Sequence, residues 1–116
     1  MHAVWDSVSY SYTGYADLPF DSATWDYYGE EINKMVPDFP VDPAQLKEGQ
    51  FGEWANESLA MAEADSYPGF AIDAAQSPEY QAIAESDCRM RIMYGGARLA
   101  ALITQIFGAD EEMFLI

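Results

Sequence analysis

SPEYQAIAESDCRMRIMYGGARLAALITQIFG, residues Ser77–Gly108, is the stretch that decides the fold. Ser77-Pro78 is a helix start, because proline at the first helical position gives up an amide that would have no partner there. Gly108 is the matching stop. Between them Tyr80, Ile83, Ala84, Cys88, Ile92, Leu99, Ile103, Ile106 and Phe107 form one apolar stripe at helical spacing, which predicts the longest helix of the chain. Gly95 and Gly96 interrupt the stripe at a cost of about 1 kcal/mol each relative to alanine. The return expected for that cost is close approach of another backbone.

Working outward, Tyr67-Pro68-Gly69 ends a preceding helix that starts at the Asp42 cap and Pro43 and runs to about Ser66, loosened at Gly49 and Gly52. Phe51, Trp54, Ser58, Met61 and Ala62 share a face of it. Before a Pro-rich linker, Val36 to Pro43, Ser22 caps a helix from about Ala23 to Met35 that Pro37 closes. Its buried face is marked by Trp25, Tyr28, Ile32 and either Met35 or Val36. The opening segment, His2 to Tyr12, places Val4, Trp5 and Val8 at helical spacing and so predicts a short helix, after which Gly14 opens a loop through Pro19. Strand signals are weak, and there is no internal repeat or low-complexity tract. The expected fold is all-α, a helical bundle.

The 116 residues suffice for one domain, and half of them are hydrophobic, enough for a packed core. Charge is lopsided, with 20 acidic residues against five basic ones and a formal net of -15. Such a surface repels a phosphate backbone, so a basic nucleic-acid patch is excluded and metal cations would have to supply any attraction to phosphate. An acidic working pH would soften the repulsion by protonating carboxylates. Cys88 is the one cysteine, either a small buried apolar residue or a half-cystine whose partner lies outside the chain. No apolar run has the length of a membrane span, and no secretory leader follows Met1.

His2 and Asp6 stand four apart and project from one face of a helix. Imidazole and carboxylate suit zinc, yet two ligands fall short of the three or four that a zinc site needs, and the chain has no other histidine. The bland alternative is a surface hydrogen bond. Glu30-Glu31, Glu63-Asp65, Glu85-Asp87 and Asp110-Glu112 read as solvated faces or chain ends. Ser7, Ser9 and Ser11 lack a histidine or lysine relay, and no glycine-rich phosphate loop is present. Asn56-Glu57-Ser58 matches a glycosylation acceptor triplet within an apparent helix.

Three stretches in order carry a resemblance: HAVWDS (His2–Ser7), EWANESLAMAEADSYPG (Glu53–Gly69) and RIMYGGARLAALITQIFG (Arg91–Gly108). They resemble the S-one/P-one class of zinc-dependent single-strand nucleases and 3'-nucleotidases. Its signatures look like Asn-Leu-His-x-x-Trp-Asp, then Trp-x-x-Glu-Ser-x-x-x-Ala with a later Tyr, then Ala-Gly-x-Arg-Leu-Ala-x-x-Leu-Asn. Trp54, Glu57, Ser58, Ala62 and Tyr67 fit the second; Gly96, Arg98, Leu99, Ala100 and Leu102 or Ile103 fit the third.

The resemblance implies an all-helical fold of the zinc phospholipase C and zinc nuclease type, with three zinc ions in a cleft. It implies hydrolysis of single-stranded DNA and RNA to 5'-nucleotides, with 3'-nucleotides as further substrates. It makes His2 and Asp6 ligands of one zinc; Asp rather than Glu at position 6 fits the nuclease branch. Trp5, Trp54, Glu57, Ser58 and Arg98 would support the helices near the cleft. Members are secreted or lysosomal and vacuolar.

The departures bound what this chain can do. The Asn before Leu-His is absent, Met1 stands at the Leu position, and Ile103-Thr104 replaces Leu-Asn. The remaining zinc ligands and the base-stacking residues lie upstream in the family. Residues 1–116 are therefore expected to be the C-terminal portion of such a nuclease domain, with the N-terminal portion absent and little activity alone. The other expectation is a non-catalytic acidic helical module that binds a partner or self-associates.

Overall fold

The structure, a computed structural model, describes residues 1–7, 18–46 and 50–108, leaving out the side chain of His2. Among these residues there is no strand. The elements are α1 (His2–Asp6), α2 (Ser22–Asp38), a 3-10 turn (Pro43–Leu46), α3 (Phe51–Met61), a π turn (Ala62–Ser66) and α4 (Pro78–Phe107). The expected all-α class is what the chain adopts.

The long helix is the spine, and α1, α2, the 3-10 turn and the π turn each pack against it. Its start and stop are those expected. The Ser77 side chain accepts from the Tyr80 amide at 3.1 Å, Pro78 takes the first position, and Gly108 follows the last turn at a φ of +78°. The buried apolar residues of the stripe, Tyr80 and Ala84, lie in its first half. They are buried together with Val4 of α1, and Trp5 and Phe70 pack against them. Burying a valine side chain contributes about 1.5–3 kcal/mol.

In the second half Leu99 is 58% exposed and Phe107 67%. A methyl group added at Gly95 or Gly96 would meet nothing within 4 Å, which corrects the expectation that a backbone crosses there. Among the described residues this face of α4 is open.

The second helix differs from expectation at both ends. Asp21, not Ser22, is its cap, accepting from the Thr24 amide at 2.8 Å, and Pro37 sits inside the last turn. Proline there removes one amide donor within the last turn, and the helix ends one residue later, at Asp38, before Phe39 and Pro40. Met35 is its buried residue; Trp25 at 61% and Ile32 at 48% are exposed, so the predicted buried face is largely bare.

The helix expected from Pro43 to Ser66 is broken. Asp42 caps only a 3-10 turn, its carboxylate accepting from the Ala44 amide at 2.9 Å. Helix then resumes at Phe51 and loosens into the π turn. The predicted face of this helix is likewise shallow, with Phe51 and Ser58 exposed and Trp54, Met61 and Ala62 half-buried. Gly49, Val8 and the loop from Gly14 to Asp17 lie outside the described residues.

Between the π turn and α4 the chain reverses at Gly69, whose φ of +74° favours glycine. Gln76 pins this connection: its buried amide accepts from the Ala71 amide at 2.9 Å and donates to the Ala71 carbonyl at 2.8 Å.

Candidate functional site

One turn of helix carries the candidate ligands, and a single turn cannot hold itself together in water. Its placement comes from α4. Val4 is buried, and the Trp5 indole Nε1 donates to the Tyr80 hydroxyl at 3.0 Å with the two rings edge to face. Tyr80 Oη donates in turn to the Ser66 carbonyl at 2.6 Å. The Cys88 thiol donates to the Trp5 carbonyl at 3.4 Å, and Ser7 Oγ closes the turn onto the Ala3 carbonyl at 2.6 Å. α1, the π turn and α4 are thus tied through one phenol.

Asp6 is exposed on this turn. It borders a groove of about 450 Å³ whose walls include Phe20 just before α2, Trp25 and Tyr28 of α2 and Ile92 of α4. The His2 side chain lies outside the described residues. His and Asp suit zinc in kind, but two donors are fewer than a zinc centre requires. Among the described residues no group of three or more His, Cys, Asp or Glu could hold a metal ion. Cys88 does not extend the set. Burial, aided by Asp87 and Asp6, pushes its thiol up to about 11, so it stays protonated and bonded to Trp5. The Cys88 thiol is half-buried.

The other candidate residues gather at a second place, between α3 and α4. Arg98 is 5% exposed, lies over the Trp54 ring at 4.7 Å and the Tyr94 ring at 5.1 Å, and reaches Glu57 with one nitrogen at 2.7 and 2.9 Å. Its Nε donates to the Gln45 carbonyl at 3.3 Å. Arg91 joins from the same helix, donating to Glu57 at 3.1 Å and to Ser58 Oγ at 2.8 Å. Desolvation raises the Glu57 carboxyl, but the hydrogen bonds and charges of Arg98 and Arg91 outweigh it and hold the group below the usual glutamate range.

The structure therefore brings Trp54, Glu57, Ser58 and Arg98 into one cluster that fastens α3 to α4, and their hydrogen bonds do not reach α1. Arg91 and Tyr94 belong to this cluster and were not foreseen. Arg91, Tyr94 and Arg98 stand three and then four residues apart, on one face over two turns of helix, and that spacing is the available signal. Trp54 Nε1 is buried with no partner among the described residues.

One acidic pair departs from the solvated faces expected. Asp87 is 9% exposed, its Oδ2 has no hydrogen-bond partner among the described residues, and the Asp65 carboxyl faces it. Glu31 is likewise engaged, pairing with Lys34 and lying 4.0 Å from Arg89.

No helix among the described residues is long and apolar enough to cross a membrane. Among curated proteins and solved structures none matches the chain. The S1/P1 nuclease family model does match, over residues 1–108, a span that takes in α1, both acidic and arginine clusters and all of α4. The chain belongs to the S1/P1 nuclease family.

Proposed function

We propose that the chain is the C-terminal portion of a zinc-dependent nuclease domain that hydrolyses single-stranded DNA and RNA to 5'-nucleotides and also acts on 3'-nucleotides. The observation that carries this is the family match over a chain in which α1 is fastened to α4 with Asp6 left exposed. His2 and Asp6 would contribute two zinc ligands. Zinc, when bound, polarises the phosphoryl group and offsets its charge, which a surface of net charge -15 cannot do for itself. The remaining ligands of a three-zinc cleft would come from the N-terminal portion of the domain, so this chain alone is inactive. The Trp5–Tyr80 tie holds α1, which presents these ligands, and the Arg98 cluster fastens α3 to the helix on which α1 rests. Secretion or delivery to a lysosome or vacuole belongs to the same proposal, as does modification of Asn56, which is exposed on α3. Because Ser58 of that triplet is held by Arg91, modification would precede folding of α3.

A second reading has its own support. Trp25, Val36, Leu99 and Phe107 are all more than half exposed, on faces of α2 and α4 that suit a partner. A non-catalytic acidic module that binds a partner or self-associates would use those faces without zinc.

The discriminating experiment measures cleavage of single-stranded DNA in zinc by the chain alone and by the chain mixed with a family N-terminal portion. No cleavage alone and cleavage on mixing, lost with Asp6→Asn, is the expected result. Full cleavage by the chain alone, or by an Asp6→Asn mixture, would overturn the proposal.

A further inference from the structure

The carboxyl pair beneath α1 is not used by the proposed hydrolysis. Asp65 sits in the π turn, a helix form that recurs where a side chain must be aimed. Asp87 faces it from α4 with one oxygen buried and without a hydrogen-bond partner among the described residues. The next residues on either side are structural ties. Ser66 accepts from Tyr80, Tyr80 accepts from Trp5, and Cys88 donates to the Trp5 carbonyl. The charged or titratable groups around the pair are Cys88 on α4 and, across Cys88, Asp6 on α1; neither is a cation. The four lysine and arginine side chains of the described residues are committed elsewhere: Lys34 to Glu31, Arg89 to Glu85 and Glu31, Arg91 and Arg98 to Glu57.

Two carboxylates so placed cannot both ionise without repulsion in a site that water barely reaches. We propose that Asp65 and Asp87 share one proton, and that this proton latches the π turn to α4 and thereby holds Tyr80, Trp5 and α1 in place. Above the titration of the pair, repulsion between the carboxylates pushes the π turn off α4 and slackens the Ser66–Tyr80–Trp5 chain.

Burial, with the charge and hydrogen bond of Asp65 added, pushes Asp87 up to about 6 from an ordinary 3.8. A raised carboxyl favours folding when protonated. Its contribution is complete below the unfolded value and is lost as pH rises through the folded one. The pair should therefore raise the unfolding constant roughly hundred-fold between pH ~4 and pH ~8.

The test is urea denaturation of wild type and Asp87→Asn across that range. Asparagine mimics the protonated acid, so the difference between the two proteins cancels the titration of all other carboxylates. Near pH 4 the two should unfold alike, and near pH 8 Asp87→Asn should be the more stable by tens-fold to a hundred-fold. A difference that does not change with pH would overturn the latch. If Asp87→Asn does not fold, Asp65→Asn, which leaves the buried group untouched, should show the same trend at smaller size. Solvent exchange of the Trp5 indole proton provides the readout at α1. It should quicken through the same pH window in wild type but not in the variant, and equal exchange in both would count against the latch.

Discussion

Removing the Arg98 guanidinium should be the most damaging change to the α3–α4 junction. In Arg98→Ala two aromatic faces lose a cation at 4.7 and 5.1 Å, each worth about 0.5–1 kcal/mol or more when desolvated. The Glu57 carboxylate loses its two shortest contacts and the Gln45 carbonyl its donor. Charged hydrogen bonds contribute about 1.5–3 kcal/mol. The sum is about 3–5 kcal/mol, after discounting the ion pair because the Glu57 side chain is 38% exposed while Arg98 is 5%. Against a domain stability of about 5–15 kcal/mol such a loss is a large fraction of the total. Because Arg91 remains on Glu57, the carboxylate is not stranded, and the Arg98–Glu57 coupling itself should be about 1–2 kcal/mol. The assay is a double-mutant cycle of Arg98→Ala and Glu57→Gln by urea denaturation followed by far-ultraviolet circular dichroism. A coupling below about 0.3 kcal/mol would show that the two act independently and would refute the cluster as the fastener of α3.

Tyr80→Phe keeps the ring against Ala84 and Phe70 but strands the Trp5 indole and the Ser66 carbonyl; it should cost about 1–3 kcal/mol and blue-shift no other tryptophan than Trp5. Calorimetric melting of the variant checks the cost, and fluorescence emission of single-tryptophan variants checks the shift. Glu57, held low by its two arginines, contributes stability that is present above the unfolded glutamate value of about 4.3 and lost as pH falls through the folded one. Acid unfolding of Glu57→Gln should therefore lack this component while its behaviour above pH ~5 parallels wild type; an unchanged acid limb would contradict the ion-pair account.

What could be read from the residues followed from which signals are local. Helix caps and stops depend on one or two side chains, so the limits of α4 were plain from Ser77-Pro78 and Gly108. The 3-10 turn at Pro43–Leu46 is not, because Asp42-Pro43 opens a 3-10 turn and an α-helix with the same chemistry. Apolar periodicity says which face wants cover, not whether cover is present. Hence Trp25, Ile32 and Leu99 were expected inside and stand exposed, as does the backbone at Gly95 and Gly96. Asp87 was assigned to a solvated face because an acidic residue beside Glu85 gives no hint that the π turn folds over it. The roles of Trp5, Trp54, Glu57 and Arg98 were visible as types from motif spacing. Their partition into an α1 clasp and an α3 fastener required the tertiary contacts.

The central claim is that α1 contributes part of a zinc site, and zinc titration by calorimetry tests it most directly. Complete structural zinc sites yield about 10–16 kcal/mol, so a chain supplying two ligands should bind far more weakly but measurably. The prediction is one weak zinc per chain, abolished by Asp6→Asn, a substitution on an exposed side chain that should leave helicity unchanged. Zinc binding of equal strength in wild type and Asp6→Asn would contradict the account.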